Sequence, residues 1–299
     1  MNADRSGSRA THSAQELVAN IAALATLPTV YLRIREELDA PAGSTAAVTH
    51  AISADPALTA NLMRLVNSAF YGYGGKIETL SRAVIILGIQ QVHDLVLAVS
   101  VSSTFSVFAP LHLDMPRFWR GSVMRGLATR EIGRSHGMIG AERLFVIGLL
   151  SDIGHLVMHQ TIPDLALEAR TIATQNQEPL HEAERRIAGC DYAEVGASLM
   201  DFWKLPACFA DVIGAQMTPR LGGDYMYEAA MVHLATRIAD ADQENESSNA
   251  VVARIDPVIW SMLDMEPANL RRIRQSAELD LASYVTMFFP GLGPDRARI

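Results

Sequence analysis

The chain has 299 residues, of which 49% are hydrophobic, 19% charged and only 6% aromatic. This length and balance exclude a disordered chain and a mini-protein, and the low aromatic content favours helices over a β-sandwich. The formal charge of −8 disfavours nucleic acid and anionic membranes as main partners. We therefore expect an all-α protein.

The first hundred residues predict a polar tail followed by six short helices. Residues 1–13 lack the apolar stretch of a signal peptide, which predicts a disordered tail. Apolar residues then recur at helical spacing over 14–25, 28–38, 45–53, 56–67, 82–87 and 89–105. Asp55 is expected to cap the fourth helix with Pro56 in its first turn, Ser81 to cap the fifth, and Gly88 to separate the fifth from the sixth.

Three local features bear on location and binding. Tyr71 and Tyr73 lie in the glycine-rich segment 71–75, which predicts a loop. The most apolar window, 80–108, is interrupted by five polar residues, so it predicts a core helix pair and not a membrane helix. The two cysteines, Cys190 and Cys208, have no metal or redox spacing and fit a reducing cytoplasm.

Two prolines within 108–116 predict a junction between two helical units. A second helical series follows from 117, and the polar run 240–249 predicts a loop before a last helical piece at about 256–289. We therefore predict a disordered tail at 1–13, an N-terminal helical unit at 14–107, a second unit at 108–239, and a polar loop with a helical extension at 240–299. The two units should pack tightly, because the aromatic residues that flank the junction would otherwise be exposed.

The segment 52–72 carries a distinctive pattern: Asp55 and Pro56, a leucine-rich helix, and Asn67 followed by Ser68. It resembles the HDOD family, the HD-related output domain of bacterial signalling proteins. Further positions match in the same order along the chain, namely Leu27, Pro28, Ile77, Ser81, Ala83, Leu87, Gly88, Phe118 and Trp119. The resemblance covers about 14–216 and implies a helical signalling module whose second unit is a degenerate relative of the HD phosphohydrolases.

In that superfamily a histidine-aspartate pair, further histidines and a last aspartate hold a divalent metal that activates water. The resemblance places Ser151 where the histidine of the pair would stand, which leaves Asp152, followed by Gly154. Other histidine positions fall at Gly121 and Tyr192, a later pair falls near 215–216, and the last aspartate falls at Thr236. One carboxylate cannot hold a catalytic metal, so we expect no metal, no cofactor and no enzyme activity.

The sequence also contains a second candidate metal site. Asp152, His155 and His159 stand at i, i+3 and i+7, which places them along one face of a helix. No fourth ligand is evident, and polar residues often share a face because that face is wet. We favour the solvated face.

The leading hypothesis is a non-catalytic module that acts through contacts with other signalling proteins in trans. Tyr71 and Tyr73 are the better candidates for contact, whereas Asp55, Asn67 and Ser68 are interpreted mainly as scaffold residues. One alternative is a divergent phosphohydrolase for a nucleotide or cyclic dinucleotide. Another is a pseudoenzyme that binds a nucleotide, which requires a cavity-facing arginine, with the candidates Arg120, Arg125 and Arg130.

Overall fold

The structure is a computed structural model, and it describes residues 11–22, 25–39, 45–67, 76–105, 108, 110–138 and 140–289. Within these ranges the regular elements are α-helices and two short 3-10 turns, which confirms the all-α prediction. Three predicted interaction positions, Ser68, Tyr71 and Tyr73, lie outside the described residues, as do residues 1–10.

Seventeen α-helices are present in the described ranges: α1 (Ala14–Ile21), α2 (Thr29–Asp39), α3 (Thr45–Ser53), α4 (Pro56–Val66), α5 (Leu80–Leu87), α6 (Ile89–Phe105), α7 (Met115–Ser135), α8 (Ala141–Leu150), α9 (Ile153–Thr161), α10 (Pro163–Asn176), α11 (Leu180–Ala188), α12 (Tyr192–Phe202), α13 (Ala207–Ala215), α14 (Met226–Gln243), α15 (Ser248–Arg254), α16 (Pro257–Met262) and α17 (Asn269–Phe288). The 3-10 turns, Pro219–Leu221 and Gly223–Tyr225, connect α13 to α14.

Local capping explains where the early helices begin. Ser13, which the sequence assigned to the tail, instead caps α1. Its hydroxyl accepts from the Glu16 amide at 3.2 Å, and the Glu16 carboxylate accepts from the Ser13 amide at 3.0 Å. Asp55 caps α4 by accepting from the amides of Ala57 and Leu58, both at 2.9 Å. The predicted cap at Ser81 is wrong: α5 begins one residue before it, and Thr79 accepts from the Arg82 amide.

Asn67 and Gly88 stand at the C-terminal ends of α4 and α5. The Asn67 side chain donates to the carbonyl oxygens of Met63 and Ile77, both at 2.9 Å, and accepts from the Ile77 amide at 2.8 Å. It thereby joins the two ends of the segment 68–76. Gly88 has φ +83°, a conformation that residues with a Cβ rarely adopt, and it separates α5 from α6.

In the described part of the chain no single helix is long and apolar enough to cross a membrane. The helices α5 and α6 reach the required length and hydropathy only as a pair, and this pair is bent by 115°.

A hydrophobic core runs from α1 to α17 across the predicted junction. Phe105 and Trp203 bring their ring centroids to 5.9 Å, and Trp119 stacks on Phe289 at 4.2 Å. The Trp203 indole also donates to the carbonyl oxygen of Ala25 at 2.7 Å. The N-terminal bundle is therefore packed on the second helical unit, as the sequence predicted, and α1 packs on α9 and α12 of that second unit.

The predicted loop at 240–249 is shorter than expected: α14 continues to Gln243 and α15 begins at Ser248, so 244–247 alone connect the two helices. The physical reason lies in the partners of the polar residues. Asp240 and Asp242 form ion pairs with Arg125 and Arg120 on α7, and Gln243 accepts from Arg117 at 2.9 Å. The polar residues of this last turn pair with polar residues of α7. Their composition is therefore the same as that of a solvated loop, although they lie in a helix.

Candidate functional site

A cavity of about 620 Å³ opens among α7, α9, α10, α11, α12 and α14. Beside it lies a cluster of five charged side chains from four of these helices or their ends: Arg125, Asp152, His155, Glu184 and Asp240. We call these five residues the charge cluster. Asp152 stands immediately before α9. It is the residue that the resemblance places at the aspartate of the histidine-aspartate pair.

Arg125 is the central cation of the charge cluster. Its Nη1 donates to Asp152 Oδ2 at 2.9 Å and its Nη2 donates to Asp240 Oδ1 at 3.2 Å. The side chains of Arg125 and Asp152 are only 7% and 8% exposed. A buried carboxylate of this kind is tolerated only when it is paired, so Arg125 neutralises Asp152 in the interior.

His155 is the second cation of the cluster. Its Nδ1 lies 2.7 Å from Asp152 Oδ1 and its Nε2 lies 2.9 Å from Glu184 Oε1. The ring stacks on Tyr192, with centroids 4.0 Å apart, and the other oxygen of Glu184 accepts from the Tyr192 amide at 3.1 Å. Both ring nitrogens face carboxylates, which favours the charged imidazolium.

The pKa values follow from these pairs. Burial alone would raise the pKa of Asp152, but Arg125 and His155 outweigh it and lower the pKa to about 2. Burial alone would lower the pKa of His155, yet Glu184 and Asp152 raise it to about 10. At neutral pH the cluster therefore contains ionised Asp152 and protonated His155.

His155 should make the stability of the protein depend on pH above neutrality. Because its folded pKa is raised, its contribution is fully present below the unfolded value of about 6.5 and is lost as pH rises towards 10. We expect the difference in free energy of unfolding between wild type and His155→Gln to be largest near pH 6 and to shrink steadily up to pH 10. Urea unfolding at several pH values measures this difference.

His181→Gln is the matched control, because His181 lines the same cavity but burial lowers its pKa. Its effect should change only as pH falls below about 6.5 and should stay flat above pH 7. A His155→Gln difference that is equally flat from pH 7 to 10 would contradict the assignment of a charged His155.

The charge cluster does not fit a catalytic metal. Both oxygens of Asp152 are already engaged, one by Arg125 and the other by His155. His159, the third residue of the second candidate metal site, does not join them, and its buried Nδ1 has no hydrogen-bond partner among the described residues. Among the described residues no group of three or more His, Cys, Asp or Glu side chains is arranged to hold a metal ion. A divalent cation beside Arg125 and a protonated His155 would also be repelled.

Three of the substituted ligand positions, Ser151, Gln216 and Gly121, have other roles. The Ser151 hydroxyl donates to the Gly148 carbonyl at 2.8 Å, and its own carbonyl accepts from Gln216, at the predicted later pair, also at 2.8 Å. A Cβ at Gly121 would overlap the Gln243 amide and lie 3.4 Å from Arg125 Nη1. The space that a side chain at 121 would need is thus filled by Arg125, one turn further along α7, and by Gln243.

Gly154 positions α9 against α12. A Cβ on Gly154 would overlap the carbonyl oxygen of Tyr192 and lie 2.9 Å from the Gly196 amide nitrogen. Without a side chain at 154, the two helices approach closely enough for His155 to stack on Tyr192. The family-signature glycine therefore serves the geometry of the charge cluster.

Of the three arginines that the sequence singled out, Arg125 belongs to the charge cluster and lines the cavity. Arg120 pairs with Asp242 and is 48% exposed, whereas Arg130 is buried and lies 3.8 Å from Asp280 on α17. Sequence reasoning missed Glu184 altogether and assigned Asp240 to a loop. Glu184 lies on a strongly amphipathic helix yet is 2% exposed. A charged residue on the apolar side of α11 is the sequence feature that could have indicated its role.

Known proteins share both a sequence family and a fold with this chain. The HDOD domain family model matches residues 24–219. An uncharacterized protein from Treponema pallidum (strain Nichols) is 24% identical over 198 residues, which are 66% of this chain and 38% of that protein. The chain thus spans well under half the length of this curated relative.

Three solved structures share the fold. An HDOD domain protein with unknown function from Geobacter sulfurreducens has a TM-score of 0.73 and 19% identity, over 92% of this chain and 98% of its own. A proposed phosphohydrolase from Shewanella amazonensis SB2B has a TM-score of 0.70 and 24% identity, over 94% and 98%. A proposed signal transduction protein from Marinobacter aquaeolei VT8 has a TM-score of 0.66 and 17% identity, over 96% and 62%.

Proposed function

Because this chain belongs to the HDOD domain family, we propose that it is a signal-transduction module that works without catalysis, through contacts with other signalling proteins. The observation that carries this proposal is the pairing of Asp152. Its two oxygens, which would have to face a metal in a hydrolase, are held by Arg125 and His155. Without an activated water a phosphohydrolase of this kind has no nucleophile.

The proposed contact surface includes Tyr71 and Tyr73. The residues that flank their segment, Asn67 and Ile77, are joined by two hydrogen bonds: the Asn67 side chain donates to the Ile77 carbonyl oxygen at 2.9 Å and accepts from the Ile77 amide at 2.8 Å. A segment with fixed ends on a rigid helical scaffold is a common place for recognition, and tyrosine offers a large contact area with little rotamer entropy to lose. Other signalling proteins in the same cell are the proposed partners.

Substitution of these tyrosines should separate binding from folding. We expect Tyr71→Ala or Tyr73→Ala to weaken partner binding by about thirtyfold, or roughly 2 kcal/mol, with almost no change in melting temperature. The partner is first identified by cross-linked capture on the full wild-type chain, and its affinity for each variant is then measured by calorimetry. Tyr227→Ala is the control, because Tyr227 on α14 is 49% exposed.

Tyr227→Ala should leave the affinity unchanged. If the loss of affinity in the Tyr71 or Tyr73 variant is fully accounted for by a loss of stability, these side chains support the fold and the proposed surface is wrong.

A further inference from the structure

We propose that the cavity beside the charge cluster binds an anionic ligand of nucleotide size that carries phosphate groups. The cavity, at about 620 Å³, falls within the roughly 300–1,000 Å³ of pockets that enclose small molecules. Three arginines besides Arg125 line it from three different helices: Arg117 on α7, Arg170 on α10 and Arg237 on α14. Guanidinium groups converging from several helices suit the multiple oxygens of a phosphate.

Most of the acidic groups that line the cavity are already engaged. Asp152 and Asp240 are paired with Arg125, and Glu178 is held by Arg186 at 2.9 Å. Asp114 caps α7 by accepting from the Arg117 amide at 3.0 Å. Glu244, at the end of α14, is the remaining carboxylate of the lining in the described ranges.

The cations are engaged less completely. Arg117 donates its Nε to Gln243, an uncharged partner. Arg170 and Arg237 have no carboxylate oxygen within 4 Å in the described parts of the chain, although both face the cavity. Cationic groups that line a polar cavity without direct counter-charges attract anions into it.

Thr236 gives an independent indication of a ligand. Its side chain lines the cavity and is 5% exposed, yet its hydroxyl has no hydrogen-bond partner among the described residues. Leaving a buried hydroxyl unpaired costs free energy, so such a group calls for a partner that is absent from the protein itself. The hydroxyl oxygen is itself shielded from solvent, so a phosphate oxygen held by Arg237 would accept from it once the side chain turns toward the cavity.

This inference goes beyond the proposed contact function and does not depend on it, because it concerns a different surface and needs no partner protein. Binding of ADP, GDP, pyrophosphate and inorganic phosphate to the full chain is measured by calorimetry at low salt, with adenosine as the uncharged reference. We expect at least one of the phosphate compounds to bind and adenosine not to bind. If pyrophosphate binds as tightly as the nucleotides, the phosphate groups alone are recognised. If the nucleotides bind more tightly, the cavity also contacts the nucleoside.

Three variants test the residues. Arg170→Gln and Arg237→Gln should each weaken binding about tenfold or more, since each removes a charged donor. Thr236→Val keeps the shape of the side chain, so it should weaken binding by roughly three- to tenfold while the melting temperature stays equal or rises. Arg272→Gln, an exposed change on α17, is the matched control and should have no effect.

The proposal fails if none of the phosphate compounds binds at concentrations up to about 10 mM, or if adenosine binds as tightly as ADP. It also fails if Arg170→Gln, Arg237→Gln and Thr236→Val bind like wild type. An equal loss in Arg272→Gln would reduce the interaction to general charge attraction and overturn the site as well.

Discussion

Gly154→Ala is expected to lower the free energy of unfolding by about 3 kcal/mol or more, or to prevent folding. The added Cβ would overlap the Tyr192 carbonyl oxygen, and the obstacle is backbone of α12, which cannot rotate away as a flexible side chain could. The helices α9 and α12 must separate, and the stacking of His155 on Tyr192 is lost with them. Urea unfolding followed by circular dichroism measures the effect.

Gly214→Ala on α13 provides the control for helix propensity. Its Cβ would meet only the Ala197 Cβ, at 3.3 Å, and alanine in a helix interior gains about 0.5–1 kcal/mol over glycine. We expect a change within about 1 kcal/mol of wild type. A Gly154→Ala protein as stable as the Gly214→Ala protein would show that α9 and α12 are not held at this close distance.

Arg125→Met should be the second large effect, at about 3–5 kcal/mol of destabilisation. Methionine fills much of the same volume but leaves Asp152 buried without its main cation, and it removes the pair with Asp240. The cost comes from the unpaired carboxylates, so Asp152→Asn should relieve part of it. In a double-mutant cycle the Arg125→Met and Asp152→Asn changes should couple by about 2 kcal/mol.

Arg120→Met is the matched control on the same helix. Arg120 also pairs with an aspartate of α14, at 3.1 Å, but it is 48% exposed, so its loss should cost no more than about 1 kcal/mol. Equal effects of Arg125→Met and Arg120→Met, or additive effects of Arg125→Met and Asp152→Asn, would mean that Arg125 does not balance a buried charge.

Local sequence signals predicted the local structure well. Asp55 with Pro56 at the start of α4 and Gly88 between two helices are features in which a residue acts on its immediate neighbours, so a short stretch of sequence contains the whole cause. The prediction that Ser81 caps α5 was wrong because a second capping residue, Thr79, stands two residues earlier and takes that place. The predicted loop at 71–75, with Tyr71 and Tyr73, lies outside the described residues.

The charge cluster could be predicted only in part. Positions 120, 125 and 130 are five residues apart, so on a helix they point in three different directions, and nothing in the sequence says which direction meets the cavity. Glu184 lies 29 residues from His155 along the chain, and its role depends on how α11 packs against α9. Asp240 was missed because its partner, Arg125, stabilises a polar helix end at the point where it packs against α7.

If Arg125 and His155 take the place of a catalytic metal at Asp152, as we propose, the protein binds no stoichiometric metal, and its metal content tests this most directly. The full chain is purified without added metal, incubated with manganese, iron or zinc, desalted, and analysed by mass spectrometry beside Asp152→Asn. We predict far less than one metal ion per chain in both proteins. About one ion per chain in wild type, lost in Asp152→Asn, would contradict the claim and indicate a metal-dependent hydrolase.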